Sequence, residues 1–262
     1  MEELRAFGRE LLRAAQQISG SQIQCRESDD FGVMAILFTA KQTVHYETIH
    51  VLIESNGHSD ATVIARVMLE GMALLEWASA DPEDRARKWR AYSLVFDLRT
   101  LRTKQKRGEA VPLQDERELL SRLQTHGPMF LKPGSSEQDT GVPTAYRTRW
   151  HFDRSGKSLR ISDIVGSIED PNLLPLYDAL SNWIHWNAPG LANGIRRDGD
   201  RVRIRWDSES DGALALAAGF QALYGTVRML DQHFALEHAD QLKEIRDRYV
   251  ATFSAQQSRP TT

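Results

Sequence analysis

The stretch YDALSNWIHWNAPG, Tyr177 to Gly190, keeps a serine and a histidine in otherwise apolar company. Wound as a helix, Tyr177, Leu180, Ser181, Ile184 and His185 fall at i, i+3, i+4, i+7 and i+8, which is one face. Ser181 and His185 are then neighbours one turn apart, within side-chain reach. Trp183 and Trp186 take another side, so the helix is apolar nearly all round and belongs in the interior. A serine or histidine buried there needs a hydrogen-bond partner, or it costs about 1–3 kcal/mol.

Partners of the right chemistry stand in ARVMLEGMALLEW. Arg66 and Glu70 are four residues apart and flank a stripe made by Ile64, Val67, Met68, Gly71, Leu74, Leu75 and Ala78. Turned toward the first helix, they complete a buried cluster of Arg66, Glu70, Ser181 and His185, with Tyr177 on the same face. Glu70 can hold one imidazole nitrogen and raise the pKa of His185, which leaves the other nitrogen for proton transfer or for binding. The same four residues can equally be a satisfied network that sets helix register. Both readings stay open on the sequence.

A second arginine–histidine pair, Arg228 and His233 in RMLDQH, has four residues between its members. On a regular helix those side chains point ~140° apart, so they meet only where the helix ends or kinks. His45 and His50 are five apart, not the i, i+4 of helical metal ligands, and His151-x-Asp153 stands alone. No glycine-rich phosphate loop, nucleophile elbow or His-Glu-x-x-His occurs. The reading therefore names no metal and no cofactor.

Charge is the other chemical signal. The net charge is -3, yet nine lysines and arginines lie between Arg85 and Arg107 with only Asp97 against them. That window is about +8 and the remainder about -11. Arg99, Arg102, Lys104, Lys106 and Arg107 are its candidate binding residues for RNA or an acidic protein surface. A solvated helix whose charges are paired from elsewhere is the plainer alternative.

Helices must carry all of this. Leu4, Phe7, Leu11, Leu12, Ala15 and Ile18 mark a first helix, and a second runs from about Phe31 to Glu54. Ser59 or Asp60 can cap the third, which holds Arg66 and Glu70. ADPED starts a fourth, with Asp81 as N-cap and Pro82 first, and this one carries the basic window with Trp89, Tyr92, Val95 and Phe96 inward. A shorter fifth helix follows, then a Pro-, Gly- and Ser-rich surface loop over about 127–158, expected to be mobile or functional and pinned at its end by Trp150 and Phe152. GIRRDGDRVRIRW alternates like a β-hairpin (about 194–206), and two helices close the chain, about 211–236 and 238–255.

The chain has 262 residues, 41% of them hydrophobic, enough for a sizeable core. Cys25 is the only cysteine, so no disulfide framework or cysteine zinc cluster is expected. The start lacks the pattern of a secretory signal, and apolar runs such as GVMAILFTA are short for a bilayer. The expectation is a cytoplasmic protein without a membrane partner.

The Arg-x-x-x-Glu helix with Arg66 and Glu70, the Asp-Pro start after it, and the Tyr-x-x-Leu-Ser-x-x-x-His helix resemble a widespread, uncharacterised group of bacterial all-helical proteins. Tyr177, Leu180, Ser181 and His185 match the second motif, and the resemblance covers roughly residues 33 to 236. More distantly the chain is similar to the HEPN superfamily, many of whose members are RNases of toxin–antitoxin and antiviral systems marked by Arg-x4–6-His. Group members often carry an arginine after the tyrosine, where this sequence has Asp178.

The sequence thus predicts one all-α domain: a bundle of about eight or nine helices with a small β-hairpin insertion, the third helix packed centrally against the Tyr177–Trp186 helix. The leading functional expectation is a helical interaction or regulatory module of a bacterial stress or phage-defence system, with a homo-oligomer or a protein as partner. One alternative is a metal-independent endoribonuclease with His185 or His233 as general acid–base and Arg66 or Arg228 on the phosphorane. Another is a small-ligand sensor whose pocket is the Arg66 cluster.

Overall fold

A computed structural model describes residues 2–153, 155–184, 195–204 and 209–257. Among them the chain is mostly helical, with nine helices of ten residues or more. These are α1 (Glu2–Gly20), α2 (Asp30–Glu54), α3 (His58–Ser79), α4 (Pro82–Ala91), α5 (Ser93–Lys106), α6 (Leu113–His126), α8 (Leu173–Ile184), α9 (Glu209–Phe234) and α10 (Ala239–Gln257); the single-turn α7 (Ile161–Val165) precedes α8. Two short strands, β1 (Ile195–Asp198) and β2 (Arg201–Ile204), pair antiparallel with Ile195 opposite Ile204. The turn between them passes through Gly199 at φ +62°.

The chain forms two compact units, Met1–Trp77 with Ile161–Thr262, and Ala78–Arg160. In the first, α2 lies along α9, and α1 packs on α2, α9 and α10. This four-helix group makes up much of the core, to which α3 adds the buried Ala65, Met68, Leu69 and Leu75. Its cause is composition. α2 is apolar on nearly every side, burying Met34, Ala35, Tyr46, Ile49 and Ile53, and a helix with little polar face belongs inside. Asp29 caps it by accepting a hydrogen bond from Gly32 N at 2.8 Å.

Two glycines set how closely these helices approach. A β-carbon at Gly219 of α9 would stand 2.8 Å from Ile49 and Tyr46, and one at Gly8 of α1 would stand 2.4 Å from the Tyr46 hydroxyl. Their absent side chains admit the bulk of α2 on both flanks. Ser210–Phe234 is long and apolar enough to cross a membrane, but 72% of its most apolar window is buried inside the protein, as befits the partner of α2.

The second unit holds α4, α5, α6 and the segment after them. The basic window does not lie on one helix: the chain turns at Tyr92, between α4 and α5. The Tyr92 ring is buried, packs edge-on against Phe130 at 5.2 Å, and donates its hydroxyl proton to Arg147 O at 2.7 Å. Phe96, expected inward, is 55% exposed, because the turn at Tyr92 rotates the residues that follow. Residues 127–158 contain 3-10 turns at Pro128–Phe130, Glu137–Asp139 and Pro143–Ala145, and bridges pair Leu131 with Tyr146 and Phe152 with Ser158. Phe130, Tyr146, Trp150 and Phe152 are all buried, so this segment carries a small aromatic core of its own.

Candidate functional site

Two polar pairs, each spaced one helical turn, meet in the first unit. Arg66 and Glu70 project from α3, and Tyr177 and Ser181 from α8. The spacing makes each pair neighbours on its own helix. Ala65, Met68 and Leu69 bury the inner side of α3, while Leu173 and Leu180 bury α8 next to Tyr177. The polar groups sit beside these buried residues, with the side chains of Arg66 and Glu70 only 15% and 23% exposed.

The guanidinium of Arg66 is the hub. Its Nε donates to Ser181 Oγ at 3.0 Å, and its Nη2 donates to the Tyr177 hydroxyl at 2.8 Å. The same Nη2 lies 2.8 Å from Glu70 Oε1. Tyr177 in turn donates its hydroxyl proton to Glu70 Oε1 at 3.0 Å, closing a three-membered ring of interactions. The guanidinium carbon also lies 5.0 Å from the centre of the tyrosine ring, in cation–π range. Ser181 spends its own proton on Tyr177 O at 2.8 Å, the back-bond typical of a helical serine.

These contacts define the electrostatics. Burial raises the Tyr177 phenol above its ordinary pKa, the Glu70 carboxylate adds to the rise, and Arg66 opposes it. The phenol therefore keeps its proton at neutral pH and serves as the donor to Glu70. The serine hydroxyl accepts from a cation and gives to a carbonyl, and neither partner is a base that could activate it. His185, the acid–base residue of the sequence reading, lies outside the described residues, as does Trp186.

Arg66, Glu70, Tyr177 and Ser181 thus come together from segments about a hundred residues apart, and all four lie within the stretch that a family model recognises. The model of a family of unknown function, DUF5677, matches residues 32–202. The chain belongs to DUF5677. No curated protein and no solved structure matches the chain. The DUF5677 stretch includes both motif helices, α3 and α8, and ends before α9, the helix against which α2 packs.

Arg228 and His233 are not brought together. α9 continues to Phe234, so the two residues point to different sides, and each has its own partner. His233 Nε2 is 2.7 Å from Asp29 Oδ2, and its ring packs edge-on against Phe31 at 5.1 Å. It thereby ties the end of α9 to the cap of α2. Arg228 faces Glu76 of α3: burial raises the pKa of Glu76, and the positive charge of Arg228 works against that rise. Sequence reasoning missed Glu76 and Asp29 as partners. Asp29 carried a usable signal, because an aspartate just before an apolar helical run is an N-cap.

The basic candidates divide into two groups. Arg99 donates to Arg147 O at 2.8 Å and to the Tyr92 hydroxyl at 3.1 Å. Arg102 pairs with Glu116 at 2.6 Å and donates to Gly141 O at 3.2 Å. Both hold the second unit together. Lys104, Lys106 and Arg107, at the end of α5, are exposed, and Arg107 stands 3.9 Å from Glu109. Among the described residues, no three histidines, cysteines or carboxylates converge as metal ligands.

Proposed function

We propose that this DUF5677 chain is a helical interaction or regulatory module rather than a classical catalyst, acting in a bacterial stress or phage-defence type system. One observation carries the reading. Arg66, the cation a nuclease would aim at a phosphate, is committed to Glu70, Tyr177 and Ser181. Such a closed network holds α8 on α3 in one register, which is what a rigid docking surface requires. The general form is read as HEPN-like, and β1 with β2 as a small hairpin inserted between α8 and α9.

The test is hydrolysis of RNA. The purified full chain is incubated with single-stranded and hairpin RNA in EDTA, beside an Arg66→Lys variant whose circular dichroism matches the parent. The expected outcome is intact RNA in both reactions. Cleavage by the parent that Arg66→Lys abolishes would replace this reading with the metal-independent endoribonuclease. Saturable, salt-sensitive RNA binding without cleavage, lost when Lys104, Lys106 and Arg107 become glutamates, would instead make RNA the partner of the module.

A further inference from the structure

Although α2 lies in the core, it leaves one line of side chains uncovered. Leu37, Val44 and Val51 are 54%, 61% and 55% exposed. They stand at i, i+7 and i+14, and seven residues close almost two turns, so they form a single ridge about 21 Å long. Three of the nine large apolar side chains left exposed among the described residues lie on this ridge. The residues beside it are also exposed and bear charge: Lys41 before Val44, and Glu47 after it.

These positions are symmetric about Val44. Leu37 and Val51 are seven residues to either side of it, and Lys41 and Glu47 are three to either side. We propose that the ridge is a homodimer surface in which α2 of two copies cross antiparallel on a two-fold axis at Val44. Val44 then meets Val44 of the second copy, and Leu37 meets Val51 at both ends. Each Lys41 comes level with a Glu47 across the seam, forming two equivalent ion pairs. A parallel arrangement would set Lys41 against Lys41 and Glu47 against Glu47, so charge selects the antiparallel one. Within one copy Lys41 and Glu47 are six residues apart, on different turns, and a second copy gives each its opposite charge.

This inference rests on the interaction-module reading and names the partner as a second copy of the chain. Sedimentation equilibrium of the full chain at micromolar concentration should give twice the monomer mass. Lys41→Glu should raise the dissociation constant about tenfold by setting like charges together, and Lys41→Glu with Glu47→Lys should restore it. The geometry has its own readout. With Cys25 replaced by serine, Val44→Cys should oxidise to a covalent dimer, because the two positions meet at the axis. Leu37→Cys in the same background should stay monomeric on a denaturing gel, since its two copies stand about 21 Å apart and a disulfide tolerates less than about 7 Å between α-carbons. A monomeric parent chain overturns the proposal. So does a dimer that is indifferent to Lys41→Glu, or one that crosslinks at Leu37 and not at Val44. A monomer would leave the module reading standing with a different partner, whereas RNA cleavage would remove that reading and leave the dimer untouched.

Discussion

Arg66 makes contacts that no other described side chain of the cluster could replace, because only a guanidinium offers several donors in one plane. Replacing Tyr177 with phenylalanine removes one bridge and leaves the Arg66–Glu70 pair intact, so urea unfolding should show a loss of about 1 kcal/mol. Arg66→Ala leaves Glu70, Tyr177 and Ser181 without their donor in a half-buried setting, and the loss should be about 2–3 kcal/mol. The double variant should lose less than the sum, since both substitutions remove the same bond. A second residue-scale effect concerns pH. Burial first, and then the charges of Arg9 and Arg5, lower the pKa of His50 to about 4, with Glu54 working against them. The unfolded chain binds that proton near pH 6.5 and the folded chain near pH 4, so the stability linked to His50 is complete above 6.5 and lost as pH falls toward 4. The loss should be on the order of 2–3 kcal/mol between those limits. Urea titrations at pH 7 and pH 4.5 should differ visibly less in a His50→Phe chain than in the parent.

At the scale of elements, close approach counts for more than propensity. Alanine in place of Gly8 would favour an isolated α1 by about 1 kcal/mol. Its β-carbon would, however, meet Tyr46 Oη at 2.4 Å and His50 Nε2 at 2.9 Å, and overpacking costs about 1–3 kcal/mol. The melting temperature of Gly8→Ala should therefore fall; a rise would mean that α1 stands off from α2. Local rules made many elements legible in the sequence. The Asp81–Pro82 start of α4 and the stripe of α1 depend on residues within one or two turns. The meeting of Arg66 and Glu70 with Tyr177 and Ser181 was legible for a related reason: polar pairs on otherwise apolar helix faces must find each other or pay for burial. Which atoms bond was not legible, and Tyr177 emerged as a bridge between Arg66 and Glu70 rather than as a neighbour of the site. The turn at Tyr92 had no local sign, neither glycine nor proline. It is tied down by a bond to Arg147, 55 residues further along. Arg99 and Arg102 were obscure in the same way, since their acceptors at Arg147 and Gly141 are backbone carbonyls, which no side-chain pattern announces.

Across the whole molecule, stability should be graded by where each unit keeps its core. Amides of α2 and α9, buried against one another, should exchange with deuterium only on global unfolding, while residues 132–138 of the second unit, mostly exposed and turning through Gly134 at φ +88°, should exchange far sooner. Equal protection of the two regions would contradict this ordering. The pairing of α2 with α9 also bears on how the chain is made. α2 is complete at Glu54, and α9 is complete only at Phe234, about 180 residues later. At the usual pace of translation that interval is roughly 10–35 s. Throughout it, α2 has α1 to pack on but lacks α9, while the entire second unit, Ala78–Arg160, is already out and free to collapse by itself. A ribosome stalled before α9 should hold a folded second unit beside an unsatisfied α2, a natural client for a holdase that binds near the exit tunnel.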